Sequence, residues 1–132
     1  MLYTKSIIKP KISGDGLRIS IMSRHTLNDG VTPDPRISAD SYEVWRKDLA
    51  PPAKLIGDYY KRGLPWTEYE RRYLAFLQQA DISSKVQELA RDALVQDITL
   101  LCIEEDAAQC HRRLLAEECQ RYQPQLQVEH KS

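Results

Sequence analysis

The chain has no net charge, because its 19 lysines and arginines are matched by 19 aspartates and glutamates. A neutral protein lacks the global field that draws in a polyanion, so nucleic acid is not an expected partner unless basic residues gather locally. Nothing approaches the run of about 20 apolar residues that spans a bilayer, which removes the membrane from the expected partners. The segment Met1–Pro10 lacks the apolar core, about 7–15 residues long, of a secretory leader. Its three cysteines are odd in number and have no framework spacing. They are expected to be reduced thiols in a cytoplasmic protein. Close-spaced ligand pairs are missing as well, so neither a metal nor a cofactor is expected. No repeat or linker divides the chain, and residues 1–132 read as one domain.

Apolar residues make up 42% and charged residues 29% of the sequence, a balance that supports a packed core rather than disorder. Lys5, Arg18, Arg24 and the other basic residues before Arg36 outnumber the acidic ones and read as solvated surface. Tyr3–Ile8 is a candidate strand, as are Leu17–Met22, which alternates, and Tyr42–Trp45. Between the last two runs a polar stretch, residues 23–40, includes Asn28-Asp29-Gly30 and is long enough for a lid or binding loop. A helix follows Pro51-Pro52 and ends at Gly63. Thr67-x-x-Glu70 and Ser84-x-x-Gln87 read as capping boxes that start two more helices. The tyrosines at 59, 60, 69 and 73 read as core or groove wall. Ile98–Ile103 is nearly all apolar, as a strand covered on both faces must be. Helices on either side of it in sequence predict a three-layer α/β fold, a mostly parallel sheet with helices on both faces. The tail after residue 123 is either an edge strand near Leu126–Val128 or loose.

The chemistry-bearing residues cluster just past that strand. Asp106-x-x-Gln109 predicts a helix from Ala107, which puts Cys110, His111 and Arg112 near its first turn. Ligands collect outside the carboxyl ends of parallel strands, where a helix N-terminus adds partial positive charge. Cys110 or Cys102 is therefore a candidate nucleophile, with His111 and Glu104 as candidate acids or bases. Arg112 can hold an anion through two parallel hydrogen bonds. Arg24 follows another strand and reaches the same cleft if the two strands are parallel neighbours. The plainer alternatives are that His111 bonds a backbone carbonyl in the core, that Cys102 and Cys119 are packing residues, and that Glu104 is a loop charge.

Several blocks, taken in order, resemble a known family. They are Leu49-Ala50-Pro51-Pro52, Tyr60-Lys61-x-Gly63-Leu64-x-Trp66-x-x-Tyr69-x-x-Arg72-Tyr73, Ile98–Glu104 and Cys110-His111-Arg112. The resemblance is to the YeaO-like proteins, small bacterial, archaeal and phage chains classed as a domain of unknown function. It implies a cytoplasmic α/β domain with a cleft near Cys110-His111-Arg112, and no settled substrate. Many members carry Trp-Pro-Arg-Gly soon after the first strand's arginine, whereas His25-Thr26-Leu27-Asn28 follows Arg24 here. Two functions fit the residues: an enzyme for an anionic, nucleotide-like small molecule, or a non-catalytic module that captures an anion or a partner.

Overall fold

The strand with the longest apolar run occupies the middle of the sheet. A computed structural model describes residues 1–132. It contains five strands: β1 (Leu2–Ser6), β2 (Leu17–Ser20), β3 (Val44–Trp45), β4 (Ile98–Cys102) and β5 (Val128–His130). They lie in the order β3-β2-β4-β1-β5. Every pairing is parallel, with Ser6 beside Cys102 and Ser20 beside Leu101. All five residues of β4 are buried, which explains why its sequence shows no polar alternation. The tail forms edge strand β5 rather than a loose end, pairing with β1 through Val128, Glu129 and His130.

Between β3 and β4 run α1 (Ala53–Arg62), α2 (Trp66–Leu77) and α3 (Ala80–Val95), and α4 (His111–Tyr122) links β4 to β5. The fold is three-layer α/β. Leu2, Ile98 and Leu100 join Val86, Leu89 and Leu115 of α3 and α4 in one apolar core. Burying each large aliphatic side chain there contributes about 1.5–3 kcal/mol. A 3-10 turn at Ser13–Asp15 packs against the opposite face of the sheet, where the Asp15 carbonyl accepts from the Thr99 hydroxyl at 2.7 Å.

That second face corrects the reading of Lys5 and Arg18 as solvated surface, since they are 5% and 1% exposed. Both pair with the fully buried Asp15, at 3.0 and 2.7 Å, and Lys131 reaches it at 3.1 Å. Burial would raise the Asp15 carboxyl, but the Ile12 backbone N–H and then Lys5, Arg18 and Lys131 hold it well below the ordinary carboxylate range. Gly16 lets the chain turn into β2: its φ is +62° and a Cβ would sit 2.1 Å from the Asp97 carbonyl oxygen.

Helix ends differ from the sequence reading more than helix positions do. α1 ends at Gly63 as expected, in a left-handed conformation whose N–H donates to the Asp58 carbonyl. α2 starts at Trp66, directly after Pro65, and the expected Thr67 capping box falls inside it. α3 starts at Ala80, and the Ser84 hydroxyl donates to the Asp81 carbonyl three residues back instead of capping. α4 starts at His111, not Ala107. Asp106 instead accepts from the Ala108 N–H at 2.8 Å in a local turn, a familiar alternative for a short acidic side chain.

Candidate functional site

Two neighbouring strands send the chain in opposite directions. β2 leads to β3 at one edge of the sheet, and β4 leads by way of α4 to β5 at the other. Connections that diverge from adjacent parallel strands leave a crevice between their carboxyl ends, the usual ligand position in open α/β sheets. A cavity of about 500 Å³ occupies this place. Met22, Ser23 and Arg24 line it from beyond β2, and Cys102, Ile103 and Glu104 from the end of β4. Its volume falls within the range of small-molecule pockets, about 300–1,000 Å³. Arg24, Asn28 and Lys61 on its rim are exposed, while Cys102 and His111 on its floor are 2% and 6% exposed.

On the floor, the Cys102 Sγ lies 3.6 Å from the His111 Nδ1. The other ring nitrogen, Nε2, is 2.9 Å from the Ile21 carbonyl oxygen. A carbonyl only accepts, so Nε2 carries the proton and the Nδ1 lone pair faces the thiol. The plain reading of His111 and the functional one therefore describe the same ring, with one nitrogen on backbone and the other on sulfur. Tyr73 meets the imidazole edge to face at 5.6 Å, and its hydroxyl is fixed on the Leu49 carbonyl at 2.6 Å.

Burial opposes ionisation of Cys102. The Cys110 thiol, the Arg112 guanidinium and the N–H groups of Glu104 and Ile103 overcome it and place this thiol below the ordinary cysteine value. Cys110 moves the other way, pushed up by burial and by Cys102 beside it. Cys119 lies against the Val86 carbonyl, and burial pushes it up to about 12. Of the three thiols, only Cys102 both lines the cavity and is shifted toward the thiolate.

The remaining residues expected at the site divide into two groups. Arg24 and Glu104 line the cavity, and Glu104 accepts from the Tyr60 hydroxyl at 2.8 Å. Cys110 is the buried residue before α4, packed beside Cys102, and does not line the cavity. Arg112 is fully buried and does not line it. Its Nη1 donates to the Glu104 carbonyl and to the Cys110 Sγ, and its Nη2 to the Glu105 carbonyl at 3.2 Å. The guanidinium thus ties down the loop between β4 and α4, and its Nε has no partner. His25 also turns away, stacking on Trp45 at 3.8 Å with Nε2 2.7 Å from the Ser20 hydroxyl.

The stretch 23–40 is a long irregular connection, as expected, but part of it is tied back on itself as a short hairpin. Thr26 bridges Pro33, the Leu27 N–H donates to the Thr32 carbonyl at 2.8 Å, and the Asp29 carboxylate accepts from the Val31 and Thr32 N–H groups. The hairpin packs Arg24 over Gly30, whose φ is +74° and where a Cβ would meet the guanidinium at 2.8 Å. Sequence reasoning passed over the basic residues of α1. Lys54, Lys61 and Arg62 line the cavity beside Arg24, against the single carboxylate of Glu104. Asp58 pairs with Lys54 and Arg62, whereas Arg24 and Lys61 carry no ion pair. Neutral overall, the chain still concentrates positive charge here. The signal was the Lys61 and Arg62 pair directly after Tyr59-Tyr60, legible only once α1 is placed against the strand ends.

Among known families, a model described as "Active DUF488-N3 subclade" matches residues 2–123. No curated protein and no solved structure matches the chain.

Proposed function

The chain belongs to the DUF488 family, in its DUF488-N3 subclade, which accords with the YeaO-like resemblance, and from that premise we propose that it is an enzyme acting on an anionic small molecule at the β2–β4 cleft. The observation that carries this reading is the Cys102–His111 pair, oriented by the Ile21 carbonyl on the floor of a cavity with a basic rim. Arg24 and Lys61, the cations without ion pairs, hold the anionic end of the substrate. Cys102 passes its proton to the His111 Nδ1 and attacks the electrophilic centre. The imidazolium returns that proton to the leaving group. Glu104 and Tyr60 flank the reacting centre at the mouth. Cys110 and Arg112 act behind the site by stabilising the Cys102 thiolate.

The first test is alkylation of metal-free protein by iodoacetamide, read peptide by peptide. Cys102 should react fastest of the three thiols near neutral pH, and inorganic phosphate or a nucleoside monophosphate should slow it. Reaction no faster than that of an ordinary exposed thiol would refute the nucleophile role.

One observation favours a second reading, a binding module without chemistry. Cys102 is only 2% exposed, which suits a packing residue. Under that reading Cys102→Ser leaves anion binding and cellular function intact, and Arg24→Ala removes both.

A further inference from the structure

The floor of the cleft brings together three soft-ligand atoms that the sequence keeps apart. The Sγ atoms of Cys102 and Cys110 and a ring nitrogen of His111 all lie within 4.8 Å of one another, and all three residues are buried. We propose that these residues form a site for a single thiophilic metal ion, Zn²⁺ foremost, whose open fourth position faces the cavity. This goes beyond the thiol reading above and does not depend on it.

The absence of close-spaced ligand pairs argued against a metal, but the fold supplies the closeness that the spacing lacks. Cys102 ends β4, Cys110 precedes α4, and Arg112 pins the loop between them to its own backbone. Tetrahedral zinc with Zn–S near 2.3 Å and Zn–N near 2.0–2.1 Å sets a ligand separation of about 3.6 Å. The Cys102 Sγ and His111 Nδ1 are 3.6 Å apart.

The surroundings of the ligands point the same way. A metal-bound imidazole ordinarily donates its second N–H to a carbonyl or carboxylate, and the His111 Nε2 faces the Ile21 carbonyl at 2.9 Å. The Arg112 Nη1, 3.4 Å from the Cys110 Sγ, supplies a hydrogen bond to the thiolate that coordination would require. Two thiolates offset the charge of a dication, which lets the ion sit near a guanidinium. Cys102 and His111 line the cavity and Cys110 does not, so the uncommitted position opens toward solvent and ligand. That arrangement, Cys₂His with one open position, is a known form of protein zinc site. Coordination uses the Cys102 lone pair that nucleophilic attack needs, so an occupied site silences thiol chemistry and removal of the ion restores it.

The experiment titrates Zn²⁺ into the metal-free full chain against a chromophoric chelator and repeats the titration with Co²⁺, whose visible spectrum reports thiolate ligands and tetrahedral geometry. One ion per chain is expected, with a sulfur-to-cobalt charge-transfer band and release of the thiol protons. Cys110→Ser retains a hydroxyl donor toward Cys102 but loses a ligand, and should weaken binding on the order of 100-fold. Cys119→Ser, a thiol in another part of the core, should leave binding unchanged; circular dichroism checks that both variants are folded. No binding at stoichiometric metal, or equal affinities in the Cys110 and Cys119 variants, would overturn the site. Binding with this ligand dependence supports the site even if metal-free Cys102 alkylates slowly, a result that refutes only the nucleophile reading.

Discussion

The imidazole of His111 is held between a sulfur and a backbone oxygen, with Nδ1 3.6 Å from the Cys102 Sγ and Nε2 2.9 Å from the Ile21 carbonyl. The residue just past strand β2 thereby decides which nitrogen of a residue on α4 addresses a thiol at the end of β4. The thiols should differ sharply in their response to pH. Cys102 is shifted below the ordinary cysteine value, Cys110 above it, and Cys119 up to about 12. A lowered value means more thiolate at neutral pH, so Cys102 alkylation should level off at the lowest pH of the three. Mass spectrometry of labelled peptides between about pH 6 and 9 checks the order.

Arg24 should govern anion capture, and Gly30 should govern Arg24. Arg24→Ala removes a charged hydrogen-bond donor and should weaken protection of Cys102 by phosphate about tenfold, or roughly 1.4 kcal/mol. Gly30→Ala adds a Cβ 2.8 Å from the guanidinium at a φ of +74°, so it should weaken protection and lower stability together. Phosphate titrations and thermal melts separate the two variants, since Arg24→Ala should leave the melting temperature nearly unchanged.

Arg112 should behave as a structural residue rather than a ligand for substrate. Arg112→Ala leaves the Glu104 and Glu105 carbonyls without their donor and opens a cavity, costing about 2–4 kcal/mol. The same change removes a positive charge that favours the Cys102 thiolate, so the alkylation profile should move to higher pH. Chemical denaturation measures the first effect, and labelling of the folded fraction the second.

The buried Asp15 cluster should control acid stability. Its carboxyl is depressed in the fold, so its contribution is fully present above the unfolded carboxylate range, near pH ~4, and fades as pH falls toward the folded value. Asp15→Asn leaves Lys5, Arg18 and Lys131 without their counter-charge and should cost about 3–5 kcal/mol at neutral pH. The difference from the wild-type chain should shrink only in strong acid, as urea denaturation across pH would show.

The sequence made the sheet more legible than the site. A run such as Ile98–Ile103 has few alternatives to a doubly covered strand, and its place at the centre followed. Helix starts were harder, because α2 and α3 begin right after Pro65 and Gln79, while plausible capping pairs start two and five residues beyond those positions. Cys102, His111, Glu104 and Arg24 were placed near one cleft because a strand end is a position along the chain. Which way a side chain turns is not such a position. Arg112 was expected to face a ligand, but two carbonyls of its own loop claim it. Lys5 and Arg18 looked solvated because burial of a cation depends on a counter-ion, and Asp15 becomes their partner only in the folded chain.

The proposed reactive pair and the proposed anion grip come from separate stretches of chain. Cys102 and His111 belong to β4 and α4, whereas Arg24 and Lys61 stand on the hairpin after β2 and on α1. Such a division makes the recognition parts exchangeable. Replacing the hairpin with one that carries Trp-Pro-Arg-Gly would retune what the pocket admits and leave the thiol, the imidazole and their backbone anchor as they are.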